Sequence, residues 1–204
     1  MTNAKGHDPR AIANLLLDLA DEVGIPIGHV KLQKLMYFAH GMHLLETGGP
    51  LVSGNFEAWQ YGPVHPALYR AFKGAGAKCI DFRGEKEDVL SGRMEVVPAA
   101  TNPFARHALM RVLMTLGKMR DFDLVELSHA PGGPWRLVVD EMDDGLALGA
   151  RISDDVICAN FARHKIAVRA GAASAGSTAA TLREAADVVE RPFASTDRNR
   201  KSLS

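Results

Sequence analysis

Apolar residues in the first fifty positions recur three and four residues apart, which is the spacing of an α-helix. A first stripe consists of Ile12, Leu15, Leu16 and Leu19. Asp8-Pro9 precedes this stripe and Gly24 follows it, and these residues are typical of a helix start and a helix end. A second helix, from about residue 28 to residue 46, has apolar side chains in every sector of its circumference. We therefore expect the second helix to lie at the centre of the fold.

Extended segments follow the second helix. In the segment NFEAWQY, successive side chains would point to alternate faces, with Phe56 on one face and Trp59 on the other, and this pattern predicts a short strand. A Gly-Pro pair at 62–63 ends this strand, and a His-Pro pair at 65–66 begins a third helix. Residues 74–100 are polar and rich in turn residues, and the pieces KCIDF and RMEVV within them favour a small hairpin or a loop.

The second half of the folded body is predicted to be helical. Thr101 or Asn102 caps a helix with a strong apolar stripe, and two short helical segments separated by PGGP follow it. Ser153 caps the last helix of the body. The predicted fold class is therefore mainly α, or α+β with a minor β hairpin, in which residues 1–166 form one compact helical domain.

Residues 167–204 differ in composition from this domain. They begin with a run of small residues of low complexity, which predicts a flexible tail because such a segment buries too little apolar area to offset its chain entropy. A short amphipathic helix is predicted at 182–190. Its apolar residues Leu182, Val188 and Val189 are candidates for partner binding, since tethered segments of this kind often order on a partner.

The charge balance bears on the class of partner. The chain has 24 basic and 24 acidic residues, a formal net charge of zero and a pI near 7.1. Nucleic acid is not an expected partner, because phosphate binding calls for a basic excess. A net charge of zero removes repulsion between copies and favours association with another protein or as a homodimer.

Cysteine usage and hydropathy bear on the compartment. Cys79 and Cys158 are the only cysteines, and their separation favours two buried, reduced thiols. The N-terminal residues contain no apolar signal region, and no apolar run approaches the ~20 residues that a membrane span requires. The sequence therefore predicts a cytoplasmic protein that does not cross a membrane.

No catalytic motif is recognisable in the sequence. There is no G-x-S-x-G elbow and no glycine-rich phosphate loop. His40 and His43 lie three residues apart on the second helix and could bind one metal ion, but no H-E-x-x-H motif accompanies them. A His-rich, metal-dependent enzyme therefore stays open as an alternative of another class. No catalytic residue, metal ligand or cofactor is assigned.

Large aromatic residues concentrate around the Gly62-Pro63 corner. They are Trp59, Tyr61 and Tyr69, with Trp135 further along the chain. Each has an apolar body and a polar tip, which suits either the core or an interface anchor. Gln33, Tyr37 and His40 form a polar seam on the second helix. This seam either bonds the corner and the segment around His129 or faces a ligand groove.

Three motifs taken together resemble the sequence pattern of a known protein family. The segments LQKLMYFAHGMHL, FEAWQYGPVHPALYRAFK and LVELSHAPGGPWR occur in this order. In order and spacing, from about Leu15 to Phe161, the chain resembles the Panacea-domain family of antitoxins, the phage-associated-protein-like group that includes the SocA type. The resemblance implies a compact helical domain that neutralises a cognate protein toxin by direct contact.

The family signature falls on identifiable positions of this chain. Its expected structural residues are Leu32, Gln33, Leu35, Phe38, Gly62, Pro63, Tyr69, His129 and Pro134. The candidates for contact with the toxin are Lys34, Tyr37, His40, Trp59, Tyr61 and Trp135. In the SocA-type branch, the resemblance further implies a proteolytic adaptor that delivers the toxin to a Clp-type AAA+ protease. Simple sequestration of the toxin is the alternative within the same class.

Overall fold

A computed structural model describes residues 6–142 and 149–164, and this part of the chain is mainly helical. The helices are α1 (Pro9–Glu22), α2 (His29–Thr47), α3 (Pro66–Phe72), α4 (Pro103–Leu116), α5 (Asp121–Ser128), α6 (Pro134–Asp140) and α7 (Asp154–Asn160), and one 3-10 turn (Lys73–Ala75) continues α3. The strands are β1 (Phe56–Trp59), β2 (Gly62–Val64), β3 (Glu85–Glu87), β4 (Met94–Val96) and β5 (Ala150–Ile152). The predicted fold class is confirmed.

Helix α2 occupies the centre of the fold, as its all-round apolar pattern predicts. It packs against α3, α4, α5 and α7, so each of its sides meets a neighbouring element. Leu32 and Leu35 are fully buried and Phe38 is nearly so. Burial of each such side chain contributes about 1.5–3 kcal/mol.

The ends of the helices are set by local capping at the predicted residues. The Asp8 side chain accepts a hydrogen bond from the Arg10 amide at 2.9 Å, and Pro9 occupies the first helical position. Asn102, one of the two residues predicted to cap α4, accepts from the amide of Phe104 at 2.8 Å. These contacts satisfy backbone donors that have no partner inside the helix.

A small antiparallel sheet lies across the corner that follows α2. Strand β1 is its central strand, with β2 on one side and β5 on the other. Phe56 and Ala58 are buried, whereas Glu57 and Trp59 are only half-buried, which confirms the predicted alternation. The strand predicted from NFEAWQY ends before Gly62-Pro63, as expected, but both residues belong to a further strand, β2, which was not predicted. Within the described chain β2 pairs only with β1, so Pro63 sits on an edge strand, where the missing amide donor is tolerated.

The second sheet is a two-stranded hairpin. In its register Glu85 pairs with Val96 and Glu87 with Met94. The RMEVV segment contains β4 as predicted, whereas KCIDF forms no strand, and its Cys79 makes only an isolated bridge to Gly28. The partner strand β3 lies in the charged segment EKE, whose composition gives no strand signal.

Both cysteines were predicted to be buried, and this prediction was wrong. Cys79 and Cys158 are exposed, free thiols. Among the described helices, none combines the length and apolarity that crossing a bilayer requires. The predicted domain boundary at residue 166 and the predicted helix at 182–190 lie outside the described residues.

Candidate functional site

The aromatic corner is the turn from β1 to β2 together with the side chains that support it from α2, α3, α5 and α6. Three signature segments, distant in the sequence, meet there. Trp59 and Gly62 come from the sheet, Lys34 from α2, and His129 and Trp135 from the end of α5 and the start of α6. The fold therefore brings together the residues that the composite motif singled out.

Lys34 lies beneath the corner and is almost completely buried, with 1% of its surface exposed. Its ammonium Nζ donates a hydrogen bond to the carbonyl oxygen of Pro63 at 3.0 Å. Burial lowers the pKa of Lys34 to about 7, because the charged form loses its hydration. Among the described residues, no carboxylate forms a salt bridge with Lys34. The amine therefore acts as a buried hydrogen-bond donor that fixes the β2 backbone.

Gly62 is required at the corner for two independent reasons. Its φ angle is +90°, a backbone conformation that side chains with a Cβ rarely adopt. A Cβ at this position would overlap the Ser128 hydroxyl and lie 2.9 Å from Lys34 Nζ and 3.2 Å from His129 Nε2. The absent side chain thus lets α2 and α5 approach the strand.

His129 and Trp135 form the wall behind the corner. Their rings stack with centroids 3.7 Å apart at an interplanar angle of 14°. The Trp135 indole Nε1 donates to the carbonyl oxygen of Trp59 at 3.0 Å. Burial lowers the pKa of His129 to about 4, and the nearby cations of Lys34 and Arg136 add to this effect. His129 is therefore neutral near pH 7 and stacks as an uncharged ring.

Trp59 and Tyr61 form the outward part of the corner. Both are half-buried. The Trp59 indole Nε1 donates to a carboxylate oxygen of Glu57 at 2.9 Å, and its ring lies 4.9 Å from that of Tyr69. Tyr69 is half-buried and packs against His29 at 5.2 Å. The corner therefore offers aromatic surface that is held in a defined orientation by its neighbours.

Each side chain of the polar seam of α2 makes a hydrogen bond within the fold, although Gln33 Nε2 is buried without a partner among the described residues. Gln33 Oε1 accepts a hydrogen bond from the His65 amide at 2.9 Å. The Tyr37 hydroxyl is hydrogen-bonded to His164 Nε2 at 3.1 Å. His164 contacts the carbonyl oxygen of Leu127 through Nδ1 at 3.0 Å, and burial lowers its pKa to about 4. These pairs connect α2 to the start of α3 and to the C-terminal end of the described body.

His40 completes the seam through a hydrogen bond to Asp154. Its Nε2 lies 3.1 Å from a carboxylate oxygen of Asp154 at the start of α7. The hypothesis of a metal site at His40 and His43 finds no further ligands in the described ranges, where no group of three or more His, Cys, Asp or Glu residues could hold an ion. The hydrogen bonds of Gln33, Tyr37 and His40 therefore connect α2 to other parts of the fold.

The structure divides the predicted contact residues into two groups. Lys34, Tyr37, His40 and Trp135 are at most 8% exposed, so they present no surface to a partner in this fold. The expectation of direct contact through these four residues is therefore corrected to a supporting role. Trp59 and Tyr61 keep accessible surface. Of the expected structural residues, Leu32, Gln33, Leu35, Phe38, Gly62, Pro63 and Pro134 are buried, and Tyr69 and His129 are half-buried.

Sequence reasoning missed three residues of the site. Ser128 donates to the carbonyl oxygen of Val125 at 2.7 Å and limits the space at Gly62. Asp154 and His164 were not assigned to the site, whereas they are the partners of His40 and Tyr37. The presence of Ser128 within the motif LVELSHAPGGPWR was the available signal. Asp154 and His164 meet α2 only through folding, so sequence spacing could not reveal these pairs.

Comparisons with known proteins identify the class to which this fold and site belong. The profile of the family described as "Antitoxin SocA-like, Panacea domain" matches residues 32–136, which include most of α2, the corner and Trp135. The chain belongs to this family. It is 47% identical over 161 residues to Antitoxin SocA from Caulobacter vibrioides (strain NA1000 / CB15N), and the alignment covers 79% of this chain and 86% of that protein. No solved structure matches the chain.

Proposed function

We propose that this chain is the antitoxin of a toxin–antitoxin pair and that it neutralises a cognate protein toxin by direct contact. The observation that carries the proposal is the 47% identity to an antitoxin over most of both chains. A family whose printed description is that of an antitoxin implies a toxin as the partner. The direct test is to express the neighbouring reading frame with and without this chain. If the neighbouring product is harmless, or remains lethal with this chain present, the proposal fails.

The aromatic corner is the toxin-contact surface in this proposal. Trp59 and Tyr61 are half-buried, and their backbone is fixed by Lys34 and by the Trp135 indole. Rigid, partly exposed aromatic residues lose little conformational freedom on binding and are enriched among residues that dominate interface affinity.

Tyr61→Ala provides the corresponding test of the corner. Truncation of an interface anchor costs about 2 kcal/mol or more, so we expect toxin affinity to fall at least roughly 30-fold. Phe104→Ala is the matched control, because Phe104 is an aromatic residue that is 68% exposed on α4, in another part of the fold. Equal affinities of the two variants, measured by calorimetry with the purified toxin, would assign the contact to another surface.

The finer proposal is that the antitoxin acts as a proteolytic adaptor that delivers the toxin to a Clp-type AAA+ protease. It is supported by the SocA-type resemblance and by the additional chain beyond the body. Leu182, Val188 and Val189 are the proposed contacts of that chain with toxin or protease. In cells, the toxin half-life should shorten when this protein is present, and truncation after Ala167 should abolish the shortening while toxin binding persists. An unchanged half-life would leave simple sequestration.

A further inference from the structure

A groove lies between α3 and the β3–β4 hairpin, away from the residues of the aromatic corner. It forms a cavity of about 410 Å³ that is lined by Arg10, Ala67, Arg70, Ala71, Phe82, Arg83, Glu85 and Met94. A second cavity of about 550 Å³ shares Arg10, Ala67 and Arg70 with the first, so the two cavities adjoin at these residues. Arg70 therefore lies where the groove meets the second cavity.

The wall of the groove is apolar along one stretch. Ala67 and Ala71 of α3 face Phe82 and Met94 across the first cavity. Phe82 stacks on buried Phe72 with ring centroids 5.8 Å apart, which fixes the floor of this stretch. Phe82 is 37% exposed and Met94 59% exposed, so both leave apolar surface in water. An occupant that covered these side chains would gain the free energy of their burial.

The groove and the cavity beside it are lined by both signs of charge, with Asp8, Glu57 and Glu85 among the lining residues, and within the described ranges Arg70 is the one lining arginine without an ion pair. Arg10 is bonded to Asp8, and Arg83 to Asp18 and Asp21. Within the described ranges, exposed Arg70 has neither a hydrogen bond nor an ion pair. An apolar surface beside a free guanidinium fits a segment that combines apolar and acidic side chains.

The sequence of this same chain contains one such segment. In LREAADVVE, at 182–190, helical spacing places Leu182, Ala185, Ala186, Val188 and Val189 on one side, and Glu184 and Glu190 flank that side. Beyond residue 164, the acidic residues of the chain are Glu184, Asp187, Glu190 and Asp197, and basic residues predominate elsewhere. The segment 182–190 is therefore the part of the tail whose charge complements Arg70.

The connecting chain is long enough for this contact. At roughly 3.3 Å per residue, residues 165–181 span up to about 55 Å when extended. A domain of this size has a radius of gyration of about 15 Å, so the groove is within reach from His164. We infer that residues 182–190 dock as a short helix in the groove, with their apolar side on Ala71 and Phe82 and an acidic side chain on Arg70. This inference concerns the chain alone, before a toxin or protease takes up the same apolar residues, and it does not rest on the proposed function.

Disulfide trapping in the full-length chain tests the inference. The exposed native thiols are first removed as Cys79→Ser and Cys158→Ser, and Ala71→Cys is then combined with Val188→Cys. Mild oxidation should form an intramolecular disulfide, detected by peptide mass spectrometry and by non-reducing electrophoresis of the monomer. Thr115→Cys with Val188→Cys is the matched control, because Thr115 is exposed on α4 outside the groove. We expect the groove pair to form several-fold faster than the control pair.

A charge exchange separates docking from random collision. Arg70→Glu should slow the trapping of the groove pair several-fold, and Glu184→Arg with Glu190→Arg in the same chain should restore it. Because exposed charges are screened by salt, the rate in the unmodified background should also fall as ionic strength rises. Equal rates for groove and control pairs would overturn the inference, as would insensitivity to Arg70→Glu. Trapping only between two copies would show that the segment docks on a second molecule instead.

Discussion

Lys34→Met would show whether the buried amine beneath the corner is neutral in the folded protein. The pKa of Lys34 lies at about 7 in the fold, against an ordinary value of 10.5. Between these pH values the unfolded chain binds one proton more at this residue, so stability rises with pH by about 1.4 kcal/mol per unit. Between about pH 7.5 and about pH 9.5, the cost of deprotonating Lys34 on folding therefore shrinks, and the free energy of unfolding rises by roughly 2.5 kcal/mol.

Methionine has a similar length but neither charge nor donor. Its introduction leaves the carbonyl of Pro63 without the hydrogen bond from Nζ, which costs about 1–3 kcal/mol. It also removes the cost of deprotonating the lysine on folding, which is about 4 kcal/mol at pH 7.5. We therefore expect Lys34→Met to be at least as stable as the wild type at pH 7.5 and to lose this advantage as the pH rises.

Urea unfolding, followed by tryptophan fluorescence at several pH values between about 7.5 and 9.5, measures this difference. The wild type minus Lys34→Met difference isolates the lysine, because all other titrating groups are shared. Lys118→Met is the control, since Lys118 is exposed and its replacement should leave the slope unchanged. A variant that unfolds at pH 7.5, or that keeps the full slope of the wild type, would refute a neutral Lys34 and imply a charged amine that the fold requires.

Three further outcomes follow from the corner and the seam. Gly62→Ala should lower the free energy of unfolding by more than about 3 kcal/mol, because the new side chain meets both a positive φ and steric overlap. Gly24→Ala is the comparison, because Gly24 has a φ of +67° but no atom within 4 Å of the added Cβ, and it should cost only about 1 kcal/mol. Thermal or urea unfolding measures both. Trp135→Phe should keep the ring stack but lose the indole hydrogen bond, for a loss of about 1 kcal/mol and a more mobile corner in hydrogen exchange. The protein should lose stability as the pH falls from about 6.5 towards 4. The reason is that His129 and His164 have a pKa of about 4 in the fold and bind protons more readily in the unfolded chain. A free energy of unfolding that stays constant across this pH range would contradict their burial as neutral rings.

The sequence predicts the parts of this fold that depend on neighbouring residues. Asp8 and Asn102 cap their helices as expected, because capping requires only the side chain and amides two or three positions away. Strand β5 was not predicted, since it owes its conformation to pairing with the distant strand β1, and β3 was not predicted because its charged EKE sequence carries no strand signal. The buried state of both cysteines was predicted from a general preference of that residue type, and packing at these particular positions overrides it.

The corner was predicted only in part, for a physical reason that Lys34 illustrates. Apolar residues in every sector of α2 predicted that other elements cover all sides of the helix. Lys34 lies on this helix and is buried as well. Lys34 was nevertheless expected to contact the toxin, and lysine is a residue that is rarely fully buried. The stack of His129 on Trp135 similarly needs the turn between α5 and α6, which the separate helical patterns do not specify. The motif composite assembled these residues as a set, and the fold explains why they belong together.

The contacts of α2 also connect the proposed toxin surface to the point from which the tail extends. Lys34 fixes the strand that carries the corner, and Tyr37, one helical turn later, fixes His164 at the end of the described body. Both contacts are buried, so neither can shift without disturbing the packing of the same helix. An adaptor must hold a captured toxin and a protease-recruiting segment in one particle while using different surfaces for each. Under the adaptor proposal, α2 would therefore anchor both the strand that carries the corner and His164, the last described residue.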